Sequence, residues 1–114
     1  MADHESRPWG NYLVLHVEPG IQVKRIEIKP AMRFSLQKHS KRTEKWVVIQ
    51  GEGRVTVGSK EWGVRSGDLV EVPLGEVHRM HNTGKGPLVF IEVQFGQYLG
   101  EDDIVRLQDD FGRA

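Results

Sequence analysis

The chain is cut into short pieces. Thirteen glycines and five prolines are spread through its 114 residues, and the segments between them are rich in Val, Ile, Leu and aromatics. Short apolar runs bounded by turn-forming residues read as β-strands joined by tight turns. Nine can be marked, at 11–17, 21–28, 32–37, 45–49, 53–57, 60–64, 69–72, 77–82 and 88–94. So many strands in so short a chain predict an all-β fold, closed into a barrel or packed as two antiparallel sheets. Hairpin turns are expected at "QGEG" and "VGSKE", where glycine supplies the positive φ that tight turns need. One stretch, "GEDDIVRLQDD", reads as a helix, with acidic residues in its first turn where the dipole favours them. No repeat, linker or low-complexity segment interrupts residues 1–114, which are expected to form a single domain, with residues 1–8 loosely held.

This length supports one hydrophobic core and one site. Lys plus Arg and Asp plus Glu both number 16, so no basic excess argues for nucleic acid and the expected partner is a small molecule. Cysteine is absent, so a metal would have to be held by nitrogen and oxygen donors, and disulfides are excluded. That fits a reducing compartment. The start, "MADHESRPWG", has no signal-like apolar run, and no stretch of 18 apolar residues occurs. A soluble, cytoplasmic protein with no membrane partner is expected.

Placed on the strand pattern, the polar residues fall into sets. Side chains alternate along a strand, so Gln37 and His39 share a face, as do Glu44, Trp46 and Val48, and as do His78, Met80 and Asn82. If those faces line the interior, two imidazoles, a carboxylate and an amide oxygen can converge. Such a set suits a borderline divalent cation with room for a substrate oxygen or water. A lone histidine on a strand is ordinarily packed or at the surface, and His4 and His16 are read that way. His81 alternates out of phase with His78. The acidic run Glu101, Asp102 and Asp103 is better explained by capping and solvation than by a metal.

The joint spacing resembles the paired signature of the cupin superfamily, a small β-barrel or double-stranded β-helix (jelly roll). Ala31, Gln37, His39, Glu44 and Gly51 match the first motif, and Gly67, Pro73, Gly75, His78 and Asn82 the second. Ala31 stands where that motif has glycine, and Gln37 where it has histidine. Within cupins the chain is similar to type II phosphomannose isomerases, the C-terminal domain of bifunctional mannose-1-phosphate guanylyltransferases. The matching stretches are "RPWGNY", "VKRIEIKP", "SLQKHSKRTEKW", "VTVG", "VPLGEVHRMHN" and "IEVQFGQYLGEDDIVRLQDDFGR". The resemblance implies Gln37, His39, Glu44 and His78 as ligands of one divalent ion, zinc first, with cobalt, manganese, nickel or iron also suited. It implies interconversion of mannose 6-phosphate and fructose 6-phosphate, and a homodimer. Only the isomerase half is expected, because no Gly-rich phosphate loop and no βαβ stretch occurs in these residues. The family commonly has His at the position of Lys45 and Glu at that of His81. Alternation points Lys45 away from the Glu44 face.

Moving a proton between neighbouring carbons needs an acid, a base and a group that holds developing negative charge. Glu92 and Gln94 share a face, and Glu92 is the first candidate for proton transfer, with His81 and Lys45 behind it; a structural carboxylate paired with a basic side chain is the competing reading. For the phosphate the candidates are Lys24, Arg33, Ser35 and Arg42, each of which could instead make an ordinary polar contact. Trp9 and Trp46 are candidates for the pocket wall. The competing functions are an oxygen-dependent metal cupin and a non-catalytic sugar-binding module, since one barrel hosts many activities.

Overall fold

A computed structural model describes residues 4–100 and 102–112. They contain strands β1 (His4–Arg7), β2 (Gly10–Glu18), β3 (Ile21–Ile28), β4 (Leu36–Lys38), β5 (Thr43–Gln50), β6 (Glu52–Val57), β7 (Lys60–Arg65), β8 (Leu69–Val72), β9 (His78–Asn82), β10 (Leu88–Phe95) and β11 (Val105–Gln108), and no helix among the described residues. A six-stranded sheet runs β1-β2-β3-β10-β5-β8, and a five-stranded sheet runs β11-β4-β9-β6-β7. Every pairing is antiparallel.

Alternation decides what faces inward. Along β5, Glu44, Trp46 and Val48 are buried while Lys45, Val47 and Ile49 are exposed. In β10, the central strand flanked by β3 and β5, Phe90, Glu92 and Gln94 point into the space between the sheets. The core joins Ile28, Trp46, Val48 and Phe90 of the first sheet to Val55, Val64 and Met80 of the second. Complete burial of side chains this size contributes about 1.5–3 kcal/mol each before entropy is counted. His78, Glu44, Glu92 and Gln94 are buried polar residues of the same interior.

"VGSKE" is a hairpin, with Val57 paired to Lys60 and Gly58 at φ 63°. "QGEG" is not. It is a corner at which the chain leaves one sheet for the other, since β5 pairs with β8 and β10 while β6 pairs with β7 and β9. Gly51 makes the corner at φ 86°, and a Cβ there would meet the Pro87 carbonyl oxygen at 2.5 Å.

The expected C-terminal helix is a correction. Its residues form the edge strand β11, paired with β4, and the following chain is tied down from outside the segment. Arg79 donates to the Phe34 carbonyl, to Gln108 Oε1 and to the Gln108 carbonyl at 2.9, 2.7 and 3.0 Å, and Arg33 grips Asp110 through two bonds of 2.7 and 2.9 Å. An isolated helix this short is marginal, and the pairing with β4 wins. Asp103, expected to cap that helix, instead accepts from Ser40 N, Ser40 Oγ and Lys41 N in the β4–β5 loop. At the other terminus His4–Arg7, inside the stretch expected to be loose, pairs with Gly10, Asn11, Tyr12 and Leu13.

Ala31 adopts φ 66°, the one non-glycine residue with positive φ among those described. The left-handed region disfavours a Cβ, and that is the physical reason for a glycine at this position of the motif. Ala31→Gly is expected to stabilise the fold by about 0.5–1 kcal/mol after the entropic penalty of glycine is subtracted. The readout is a higher denaturation midpoint with unchanged m-value.

Candidate metal centre

Three elements bring the buried donors together: the end of β4 and its following loop carry Gln37 and His39, β5 carries Glu44, and β9 opens on His78. The register pairs Gln37 directly with His78. The Nε2 atom of His39 lies 3.5 Å from Glu44 Oε2, and that of His78 4.0 Å from Glu44 Oε1. One donor atom from each of His39, Glu44 and His78 falls within 4.8 Å of the others, and all three residues are buried.

Both imidazoles are set to donate electron pairs inward. His39 Nδ1 meets the Asp103 carbonyl at 2.5 Å and His78 Nδ1 the Glu76 carbonyl at 3.1 Å. A carbonyl only accepts, so each Nδ1 carries the proton and each Nε2 keeps its lone pair. Burial, and next the neighbouring Arg42 charge, push the His39 pKa down to about 4; burial likewise lowers that of His78. Neutral imidazole is the form that binds metals. His78 Nε2 is buried without a hydrogen-bond partner. An orphaned acceptor of that kind costs about 1–3 kcal/mol, and a cation between the three residues would satisfy it. The donor set, two imidazole nitrogens and a carboxylate, therefore fits a divalent ion.

Glu44 is held from two sides. Trp46 Nε1–H donates to its Oε1 at 2.9 Å, and Arg42 Nε–H to its Oε2 at 2.7 Å. The same guanidinium donates from Nη2 to His39 Nε2 at 2.9 Å, so a positive charge already stands against two of the three donors. Arg42, expected at the mouth for a phosphate, is buried against the candidate ligands His39 and Glu44. Gln37 lines the cavity beside them, and its Oε1 accepts from Ser35 Oγ–H at 2.9 Å.

Glu92 lines the same cavity, opposite Lys24 on β3 and Trp46 on β5. Burial first, then the adjacent Glu44 carboxylate, push its pKa up to about 8. Glu92 thus holds its proton well above the usual carboxylate range. Lys24 is buried with its ammonium 4.4 Å above the Tyr12 ring. Trp9, Trp46, Phe34 and Phe90 supply apolar wall.

Two expected residues lie elsewhere. Arg33 does not line the cavity; it faces an outer groove with Arg54, Arg79 and His81 and is bound by Asp110. The strand is broken at Phe34 and Ser35, so alternation does not carry from residue 33 to Gln37. Ser35 is buried, and its hydroxyl serves Gln37. Lys45 points away, exposed and 3.8 Å from Glu71, as alternation required. His16 is exposed beside Glu18. The side chain of His4 lies outside the described residues, as does Glu101. Sequence reasoning missed Arg7, Tyr12, Ile104 and Arg106, which also line the cavity. Arg7 was visible only as part of "RPWG", and Ile104 and Arg106 sat in the supposed helix.

The family model described as "Mannose-6-phosphate isomerase C-terminal" matches residues 1–109. The chain belongs to this family. Among curated relatives, the chain is 48% identical over 108 residues to the Xanthan biosynthesis protein XanB of Xanthomonas campestris pv. campestris (strain B100), covering 95% of this chain and 23% of XanB. The chain thus spans less than a quarter of the relatives it matches. Among solved structures, the capsular polysaccharide assembling protein CapF of Staphylococcus aureus superposes with a TM-score of 0.83 at 21% identity, over 95% of this chain and 34% of CapF. Oxalate decarboxylase of Bacillus subtilis, a protein with Mn(II) centres, superposes with a TM-score of 0.78 at 23% identity, over 90% of this chain and 29% of that one. At those identities the likeness establishes the cupin jelly-roll fold. No helix among the described residues is long and apolar enough to cross a membrane.

Proposed function

We propose that this chain is a metal-dependent aldose–ketose isomerase that interconverts mannose 6-phosphate and fructose 6-phosphate. The observation that carries the reading is the convergence of two neutral imidazoles and a carboxylate, one donor still unsatisfied, beside a buried carboxyl that titrates near neutrality, in a chain of this family. The Mn(II) centres of oxalate decarboxylase support a divalent ion on this scaffold. Zinc, cobalt, manganese, nickel or iron suits the donors, with zinc the first choice.

The ligands would be His39, Glu44 and His78, with Gln37 as the fourth. A bound divalent ion supplies Lewis acidity toward the sugar carbonyl. The remaining work falls to the protein. Glu92 is the group that moves the proton: a carboxyl poised near neutral pH can give and take it within one turnover as the hydrogen on C2 of the aldose is exchanged for one on C1 of the ketose. Asp103 and Glu76 hold the two imidazoles in the required tautomer through their carbonyls. The aromatic wall excludes water from the reacting carbons. A small-molecule phosphosugar partner, a homodimer, a single domain and a cytoplasmic location belong to the same reading.

Purified protein loaded in turn with zinc, cobalt or manganese is expected to convert mannose 6-phosphate to fructose 6-phosphate, followed by NMR. Turnover no higher than that of chelator-treated protein with every metal would overturn the assignment. Glu92→Gln is expected to keep the metal and lower kcat by about 10²–10⁴, the range for loss of a general acid–base. Wild-type kcat in that variant would return Glu92 to a purely structural role.

A further inference from the structure

Among the described residues, four cationic side chains line the cavity: Arg7, Lys24, Arg42 and Arg106. Three are engaged. Arg42 is forked between Glu44 and His39. Arg7 donates to the Ser6 carbonyl and to the Tyr12 hydroxyl, at 2.8 and 3.2 Å, and sits 5.0 Å from the Tyr12 ring centre. Lys24 also sits over that ring, 4.4 Å from its centre, and lowers the pKa of Glu92 by its charge. Arg106 differs. Among the described residues its guanidinium has no ion pair or hydrogen bond, and its Nε is buried without a partner.

The fold fixes where that charge points. Arg106 is paired across the β4–β11 ladder with Gln37, and directly opposed residues of an antiparallel pair project to the same face. Arg106 is therefore held beside the metal-ligand candidates, on the inner side of an edge strand, with Ile104 lining the same cavity. Burying part of a guanidinium without a counter-charge is unfavourable, so its retention at a cavity wall argues for an anion that arrives from outside. Among the described residues of the lining the one carboxyl is Glu92, which stands opposite Lys24 across the β3–β10 ladder. The nearby Glu44 is gripped by Arg42 at 2.7 Å. A guanidinium fork matches a phosphate dianion through paired N–H donors better than it matches any neutral group.

We propose that Arg106, carried by β11, forms the anion subsite of this cavity and receives the phosphate group of a sugar phosphate. The proposal rests on the phosphosugar reading above and replaces Arg33 and Ser35, which the fold turns to other partners. It makes β11 a substrate-binding element and gives the cavity a direction, with the sugar's carbonyl end toward His39 and His78 and its phosphate toward Arg106.

The test is titration calorimetry of the metal-loaded protein with mannose 6-phosphate, inorganic phosphate and unphosphorylated mannose, together with steady-state kinetics. Arg106→Ala is expected to weaken mannose 6-phosphate binding about 10- to 100-fold, the loss of one or two charge-assisted hydrogen bonds, and to abolish the preference over mannose. Arg106→Lys should recover part of the affinity, and KM should change more than kcat. Arg106→Gln, close in size, repeats the measurement should the alanine variant misfold, with melting temperature and metal content as controls on each. Unchanged affinity in folded Arg106→Ala or Arg106→Gln, or equal weakening of mannose and mannose 6-phosphate, overturns the proposal, as does absence of phosphate-dependent binding in the unaltered protein. Phosphate binding that depends on Arg106 without turnover would sustain the subsite and end the isomerase reading; turnover with a KM indifferent to Arg106 would do the reverse.

Discussion

His78→Ala is expected to reduce bound metal from one ion per chain to a small fraction of that and to lower isomerase activity on the order of 10³-fold, equivalent to the several kcal/mol a Lewis acid supplies. His78 is the clean position for this experiment because its Nε2 has no hydrogen-bond partner, so truncation strips no neighbour of a bond at that atom. Its Nδ1 contact with the Glu76 carbonyl at 3.1 Å is lost, but that carbonyl belongs to a half-buried residue at the surface end of the strand. Metal analysis after dialysis gives the stoichiometry and the NMR assay gives the activity. Full metal occupancy in a folded His78→Ala protein would remove His78 from the ligand set and with it the basis of the centre.

The second large effect concerns stability without metal. Arg42 and Glu44 have side chains only 5% and 1% exposed and are joined by a 2.7 Å bond. Glu44→Ala leaves the guanidinium buried without that carboxylate and deprives Trp46 Nε1–H of its acceptor. Loss of one partner of a buried pair costs about 3–5 kcal/mol. Urea denaturation of the metal-free protein should show that loss for Glu44→Ala and a smaller one for the double variant Arg42→Leu with Glu44→Ala, because the buried guanidinium that lost this carboxylate is then gone as well. A double variant destabilised by the sum of the two single effects would mean that the residues do not interact energetically.

How much of this was legible beforehand depended on whether the controlling contact is local. The strands were, since a glycine or proline and a period of two mark them residue by residue. "QGEG" was misread because a hairpin and a corner between sheets both need a glycine at positive φ, and only the distant partners of β5 and β6 distinguish them. "IVRLQ" fits a short helix as well as a strand, and pairing with β4 decides. In the site, Glu44 and His78 lie on strands, where alternation turns them inward, and His39 meets them from the loop just after β4. Arg33 does not, because the strand assumed to run from residue 32 to 37 is interrupted. Arg106 could not be found at all: nothing near it in the chain says that it will lie against Gln37.

The bond from His39 to the Asp103 carbonyl spans 64 positions of chain. In order of synthesis, the imidazole exists long before the carbonyl that accepts its Nδ1 proton. Folding in the same order would build most of both sheets, Glu44 and His78 included, with His39 held at Nε2 by Arg42 and its Nδ1–H still without the Asp103 carbonyl. The barrel and the donor triad are thus separate achievements of the chain, and docking of the β11 segment is the event that turns the first into the second.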